Sequence, residues 1–272
     1  RQMCIRDSYG QYARINSFWE NSDLAAVGLP SEEELKLLSP LKSDLPSDVL
    51  TENALMAPVS GTRPMDRANL RKANAMLDSA GWIVGDDGLR RNADGDTLKI
   101  EVIEDSAAFD RIVLPFVENM KAAGIDAKYN RIDPAQYTDR TRNYDFDIIT
   151  DQFPMSYEPS SGLKQYFGSE TADDSVFNSM GLKSKAVDKL IEHVVAAENK
   201  SDLKIAVKAL DRTLRAYNFW IPQWYNDQHR VAYWDMYEHP EKIAPYDLGY
   251  LDYWWYNEDK ARALKDAGFL SQ

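Results

Sequence analysis

Few residues in this chain could do covalent chemistry. Its histidines are His193, His229 and His239, and its one thiol is Cys4. No two histidines have zinc-pair spacing, and His193 falls inside an expected helix with no ligand four residues on. A structural or surface role is the expectation for all three. The nucleophile elbow G-x-S-x-G, the P-loop and the dinucleotide fingerprint are absent. Serine and threonine nucleophiles stay open, although nothing points to them. Neither a metal nor a cofactor is expected. Carboxylates are plentiful, so pairing by count means little. Asp145, Asp147 and Asp151 surround the end of an expected strand, where open α/β sheets hold their ligands. For any one of them a solvated loop charge is the plainer reading. Asp151 is the best of the three, because it sits at the strand exit and opens a long loop.

Aromatic residues give the strongest residue-level signal. Between Tyr217 and Tyr256 lie Phe219, Trp220, Trp224, Tyr225, Tyr233, Trp234, Tyr237, Tyr246, Tyr250, Tyr253, Trp254 and Trp255. Such side chains bury a large area while keeping a polar tip, so they suit cores and clefts alike. Most are expected in packing, with a minority lining a groove. Arg14 and Arg230 could pair with a ligand carboxylate or with surface acids.

The elements that must position these groups are legible in part. Ser31 followed by Glu34 reads as a helix start, with the helix ending before Pro40. Residues 66–80 carry apolar side chains at helical spacing and are stopped by Gly81, with Trp82 expected to pack back. Turn chemistry at Gly85–Gly88 and Asn92–Gly95 flanks a short hairpin. Leu98–Glu104 alternates like a strand; Arg111–Ala123 reads as a helix closed by Gly124; Ile125–Arg131 reads as a second strand. Asp133-Pro134 opens a helix that runs to about Arg142. Phe146–Thr150 is expected to be a third strand, buried on both faces. That order predicts an α/β layer with a largely parallel sheet. A long loop, 151–184, comes next. Helices are expected at Lys185–Ala197 and at Ser201–Ala216 with Ser201 as N-cap, strands at Ile221–Tyr225 and Arg230–Trp234, and a last helix over 257–269.

Composition narrows the function. The 272 residues are 44% apolar, which argues against a disordered chain, and carry a net charge of −12. That charge argues against nucleic acid and against an anionic membrane surface as partners. No apolar run approaches the ~20 residues of a membrane-spanning helix. Residues 1–8 fit neither a secretory leader nor a transit peptide and join poorly to the stretch that begins at Tyr9, so they read as a non-native leader. Cys4 then says nothing about redox compartment, and the cysteine-free remainder permits an oxidising one.

Several strings together resemble a known family. They are Tyr9-Gly10-Gln11-Tyr12-Ala13-Arg14-Ile15-Asn16-Ser17-Phe18, Asn21-Ser22-Asp23-Leu24-Ala25, Gly28-Leu29-Pro30, Ala80-Gly81-Trp82 and Phe146-Asp147-Ile148-Ile149. Further on come Ile221-Pro222-Gln223-Trp224-Tyr225, Arg230-Val231-Ala232-Tyr233-Trp234-Asp235 and Leu248 through Trp255. The chain resembles the C-terminal half of family 5 extracellular solute-binding proteins of ABC transporters, in particular the Yej-type oligopeptide-binding group. The resemblance implies a hinged, two-lobed periplasmic receptor roughly double this length, with its signal peptide upstream. The fold expected is a truncated periplasmic-binding-protein type II lobe of α/β class. Residues 9–228 would be the second, ligand-binding lobe without its opening strand and helix, and 229–272 a return segment toward the first lobe.

The resemblance also implies a function. The protein would capture oligopeptides or peptide-like solutes in an interlobe cleft, as a monomer, and deliver them to ABC permease subunits. It would not be an enzyme. The cleft face would include Arg14, Asn16, Ser17 and Phe18, the loop residues Asp151, Gln152, Phe153 and Tyr157, and Trp224, Tyr225 and Arg230. Related receptors have Trp-x-x-Asp in that loop, with the Asp on the peptide amino group. Here the stretch is Gln152-Phe153-Pro154-Met155, so Asp151 is the nearest substitute. Arg142 falls near the place of a ligand-carboxylate arginine. Two other readings are open at this level. One is a carbohydrate-active enzyme with aromatic sugar platforms and two carboxyls about 5–9.5 Å apart. The other is a chaperone-like interaction module with a bare apolar patch.

Overall fold

The computed structural model describes residues 12–60, 65–173, 176–244 and 248–270. The leader 1–8 with Cys4, the string residues Tyr9–Gln11, and Gly61, Pro64 and Tyr246 lie outside them. The chain forms two compact units that divide between Tyr225 and Asn226.

Local chemistry sets most helix boundaries in the first unit. Helix α1 (Glu32–Leu38) starts at a full capping box in which Ser31 accepts from the Glu34 amide and Glu34 reaches back to the Ser31 amide. Helix α2 (Arg67–Ser79) is capped by Asp66, and α3 (Asp110–Ala122) ends at Gly124, whose φ of +84° is the left-handed region. A Cβ at position 124 would stand 3.0 Å from the Gly88 carbonyl oxygen, so that site needs glycine for space as well as for φ. Asp133 caps α4 (Pro134–Arg142), with proline in the first turn. Helices α5 (Leu163–Phe167), α6 (Lys185–Val195) and α7 (Lys200–Ala216) complete the unit.

Strand β1 (Ala13–Arg14) pairs antiparallel with β6 (Trp224–Tyr225), and β2 (Ile83–Val84) with β3 (Arg90–Arg91) as the expected hairpin. The parallel layer is β4 (Lys99–Glu104) beside β5 (Asp126–Arg131), in register from Lys99↔Asp126 to Glu104↔Arg131. Helix α3 covers it through Val113, Val117 and Met120, which close on Val102, Ile125 and Ala127.

Four expectations need correction. Phe146–Thr150 is not a strand but a single parallel bridge, Val102↔Ile148, and its residues are exposed or half-buried rather than buried on both faces. The Asp147 carboxylate takes the Glu101 N–H (2.8 Å), which a continued ladder would give to a main-chain carbonyl. Asn199, not Ser201, caps α7, since its side-chain oxygen reaches both the Ser201 and Asp202 amides at 3.0 Å. At Ile221–Tyr225 only Trp224 and Tyr225 are strand, because β1 offers a two-residue edge. Arg230–Trp234 forms no strand; Trp234 instead closes a turn through the Tyr237 N–H (2.9 Å).

The larger core joins residues far apart in sequence. Phe18, Trp19, Leu24, Leu38 and Val49 pack against Phe167, α6 and α7. Phe18 lies stacked on Trp220 with ring centroids 4.0 Å apart. Charged residues on α7 reinforce this packing. Asp211 is fully buried and accepts from Ser17 Oγ (2.9 Å), the Phe18 amide (3.1 Å), the Ala26 amide (2.9 Å) and Arg215 Nη1 (2.9 Å). Arg215 also donates to the Ala26 and Leu55 carbonyls, and the buried Arg212 pairs with Glu34 at 2.7 Å. Burial pushes the Asp211 carboxyl up, against the pull of the Arg215 guanidinium.

In the second unit, β7 (Tyr237–Glu238) pairs antiparallel with β8 (Trp255–Tyr256), and Asn257 caps the expected last helix, α8 (Glu258–Asp266). Lys260 reaches both Asp235 and Glu238 at 3.1 Å. The Tyr233 ring meets Trp254 edge-on at 4.6 Å. Many aromatics here are exposed, among them Tyr250, Tyr253, Trp255 and Tyr256. Among the described residues no helix is long and apolar enough to cross a membrane.

Candidate functional site

The carboxyl ends of β4 and β5 and the bridge at Ile148 open toward one side of the first unit. There the chain carries acids. Glu104 is buried, with Oε1 accepting from the Asp105 (3.1 Å) and Ser106 (3.2 Å) amides and Oε2 from the Thr150 hydroxyl. Tyr137 on α4 donates to the Thr150 carbonyl at 3.3 Å. Burial pushes its hydroxyl up, and the carboxylates of Glu104, Asp105 and Asp151 add to the shift. These acids therefore share one local field, and a cation placed there would be favoured. Sequence reasoning missed Glu104 and Tyr137. The available signal was position, since Glu104 ends its strand on the same side as Asp151.

The loop that leaves this point is anchored, and it turns at Pro154, where Met155 N–H donates to the Phe153 carbonyl at 2.9 Å. Asp151 accepts from the Gln152 amide (2.7 Å) and from the Ser179 hydroxyl. Phe153 turns inward, edge-on to Phe18 at 5.3 Å and stacked on Phe167 at 5.9 Å. Met155 also packs on the core, whereas Gln152, Pro154 and Tyr157 are exposed. Phe153 and Met155 thus reach the core from either side of the turn at Pro154.

Among the expected site residues, the structure commits several to packing. Ser17 is buried on Asp211, Phe18 is in the core, and Phe153 packs beside it. Asn16 accepts from the Ala57 amide (3.1 Å) and its own amide donates to Glu20 (2.6 Å). Arg14 and Trp224 face each other across the β1–β6 ribbon, both half-buried, with Tyr225 beside them. Trp224 has Tyr12 at 6.3 Å and Phe109 at 6.5 Å, which makes a short aromatic row. Arg142 is exposed in the last turn of α4. Its neighbour Arg140 is the one engaged, with Glu101 (2.6 Å) and Asp145 (2.9 Å). Arg230 is exposed in the second unit. Of the three acids singled out in sequence, Asp145 and Asp147 serve local structure, and Asp151 lies at the exposed loop start. No group of His, Cys, Asp and Glu among the described residues could hold a metal ion.

This arrangement offers an exposed, anchored loop, an acidic corner and an aromatic row, a combination suited to holding a ligand. Comparison with known proteins supplies the class. Residues 9–174 match the family described as bacterial extracellular solute-binding proteins, family 5 Middle, and the chain belongs to that family. It is 37% identical over 249 residues to a probable peptide-binding protein, YejA, of Agrobacterium fabrum, covering 91% of this chain and 40% of that protein. The chain thus spans about 40% of the length of that relative. Its fold is that of type II periplasmic binding proteins. The oligopeptide-binding protein AppA of Bacillus subtilis, solved with a nonapeptide, superposes with a TM-score of 0.53 at 17% identity, over 91% of this chain and 52% of AppA. A periplasmic oligopeptide-binding protein of Thermotoga maritima, solved with mannohexaose, gives 0.57 at 17% identity, over 83% of this chain and 38% of that one.

Proposed function

We propose that this chain is the greater part of one lobe of a substrate-binding component of an ABC importer, which captures oligopeptides or peptide-like solutes and performs no chemistry on them. The observation that carries this is the 37% identity, along 91% of the chain, to a protein described as peptide-binding. In this reading residues 9–228 belong to the second lobe and 229–272 return toward the first. The rest of the protein closes the cleft, the receptor works as a monomer in the periplasm after export on an upstream signal peptide, and permease subunits take the solute onward.

The geometry supports a particular placement of the ligand. A peptide would lie against the exposed face of Asp151–Tyr157 and be held largely through its main chain, which gives affinity with little demand on side chains. Gln152 and Tyr157 would face it, and Arg14, Asn16, Trp224 and Tyr225 would approach from the ribbon. Ser17, Phe18 and Phe153 would act by holding the backbone in place. Asp151 would take the peptide amino group within the acidic corner. Arg142 and Arg230 are the candidates for a ligand carboxylate. Hinge closure would desolvate these contacts and strengthen them. The carbohydrate-enzyme reading finds no support, since the relatives are binding proteins and both Glu104 carboxylate oxygens are engaged in structure.

The test uses the full-length protein containing this chain. Native mass spectrometry of protein purified from the periplasm should show peptides that are released on denaturation. Asp151→Asn should weaken their binding by about tenfold or more, the usual worth of a hydrogen bond to a charged group, with the thermal midpoint unchanged. Protein that carries no peptide and instead cleaves glycans would overturn the proposal.

A further inference from the structure

Trp19 stands out among the residues that no binding role accounts for. Its ring is 2% exposed, yet its indole Nε1 leaves the core to donate to the main-chain carbonyl of Ser156 at 3.0 Å, across 137 residues of sequence. The backbone that carries the ring is itself locked. The Trp19 amide donates to Ser17 Oγ (2.9 Å), the Trp19 carbonyl accepts from Ser22 Oγ (2.7 Å), and Ser17 is held by Asp211. The indole N–H therefore points in one fixed direction.

The loop is pinned along its length: Asp151 at its start by Ser179, Phe153 in its middle by Phe18 and Phe167, and Ser156 near its end by Trp19. The last is a directional bond from the core to the loop's own backbone. In the second half of the loop Met155 packs on the core, its N–H donates to the Phe153 carbonyl, and Glu158 N–H donates to Ser156 Oγ. A loop ordered beforehand gives up less entropy when a ligand lies along it.

We infer that Trp19 is a positioning residue of the binding site: its indole N–H holds the Asp151–Tyr157 loop in a single shape before any ligand arrives. This rests on the placement of the ligand proposed above. Trp19 itself touches no ligand.

The test compares Trp19→Phe with Leu24→Ala in the full-length protein. Both remove bulk from the same core, but only the first removes the N–H donor. Hydrogen exchange read by mass spectrometry over 151–158 should speed up about three- to tenfold in Trp19→Phe, the usual worth of one hydrogen bond, and stay unchanged in Leu24→Ala. Dissociation of a tri-, tetra- and penta-alanine mixture should quicken by a similar factor only in Trp19→Phe. Equal exchange in the wild type and Trp19→Phe, or equal loosening in both variants, would overturn the inference. Faster exchange with unaltered peptide dissociation would overturn the positioning role by removing the loop from the site, while leaving the anchor itself in place. Absence of any peptide binding, with the loop loosened as expected, would count against the peptide reading and not against the anchor.

Discussion

Replacing Asp211 with Ala should be the most damaging single change in the first unit. The carboxylate is wholly buried and receives four donors from three separate segments, Ser17–Phe18, Ala26 and Arg215. Its removal leaves the Arg215 guanidinium, 1% exposed, without a counter-charge, and leaves the Phe18 and Ala26 amides without their acceptor. Breaking a buried pair from one side costs about 3–5 kcal/mol. A domain's whole stability is of order 5–15 kcal/mol, so the loss is a large share of it. With a urea slope of about 3 kcal/mol per molar, the unfolding midpoint should fall by about 1–2 M. Near-ultraviolet circular dichroism should track that fall, because the Phe18–Trp220 stack lies next to the severed amide. Arg215→Ala alone should also be costly, and the double variant should fall well short of the sum of the two losses. A midpoint shift under about 0.3 M for Asp211→Ala, or strictly additive losses, would refute the account of α7 as the post that holds the early chain.

Two further outcomes are expected. Glu101 is held below the usual glutamate range by its hydrogen bond to Arg140, with Asn130 assisting, against its partial burial. Its native value is lower than the unfolded one, so its contribution is complete above pH 4.5 and disappears as pH falls through the native value. Stability measured by urea titration at a series of acidic pH values should therefore fall less steeply below pH 4.5 in Glu101→Gln, and parallel curves would contradict the assignment. At the helix ends, Gly81→Ala and Gly124→Ala both force a left-handed φ on alanine, near +85° and +84°, at about 1–2 kcal/mol each. Only the second adds a 3.0 Å clash with the Gly88 carbonyl, so thermal unfolding should show Gly124→Ala to be clearly the worse, and equal losses would rule out the contact.

The parts of the fold legible in sequence are those whose cause is local. Ser31 with Glu34, Asp66 before its helix, Asp133 before Pro134, and Gly81 and Gly124 after theirs all act within a turn of the chain, and the structure places the boundaries there. The third strand failed for the opposite reason. Its apolar residues suggest burial, but Asp147 captures the amide that the ladder needed. In α7 the apolar stripe Val207, Leu210 and Leu214 has Asp211 in its midst, a position at which an unpaired acid would be prohibitive. That misfit was a readable signal of a partner, but the partners Ser17, Phe18 and Ala26 sit more than 180 residues upstream, where no spacing rule reaches. The site was legible in the same uneven way. The loop at Asp151 is readable from its strand exit, whereas the inward turn of Phe153 and the grip of Trp19 on Ser156 exist only once the core has formed.

The reach of α7 also bears on how the molecule is made. Residues 13–57 find their buried partners chiefly in Phe167, α6 and α7, all of which emerge much later from the ribosome. Until α7 has been synthesised, Ser17, Phe18 and Ala26 lack the Asp211 carboxylate that receives their donors, and Glu34 lacks Arg212. Closing so long a loop slows folding, and the early apolar residues are fully covered only once it has closed.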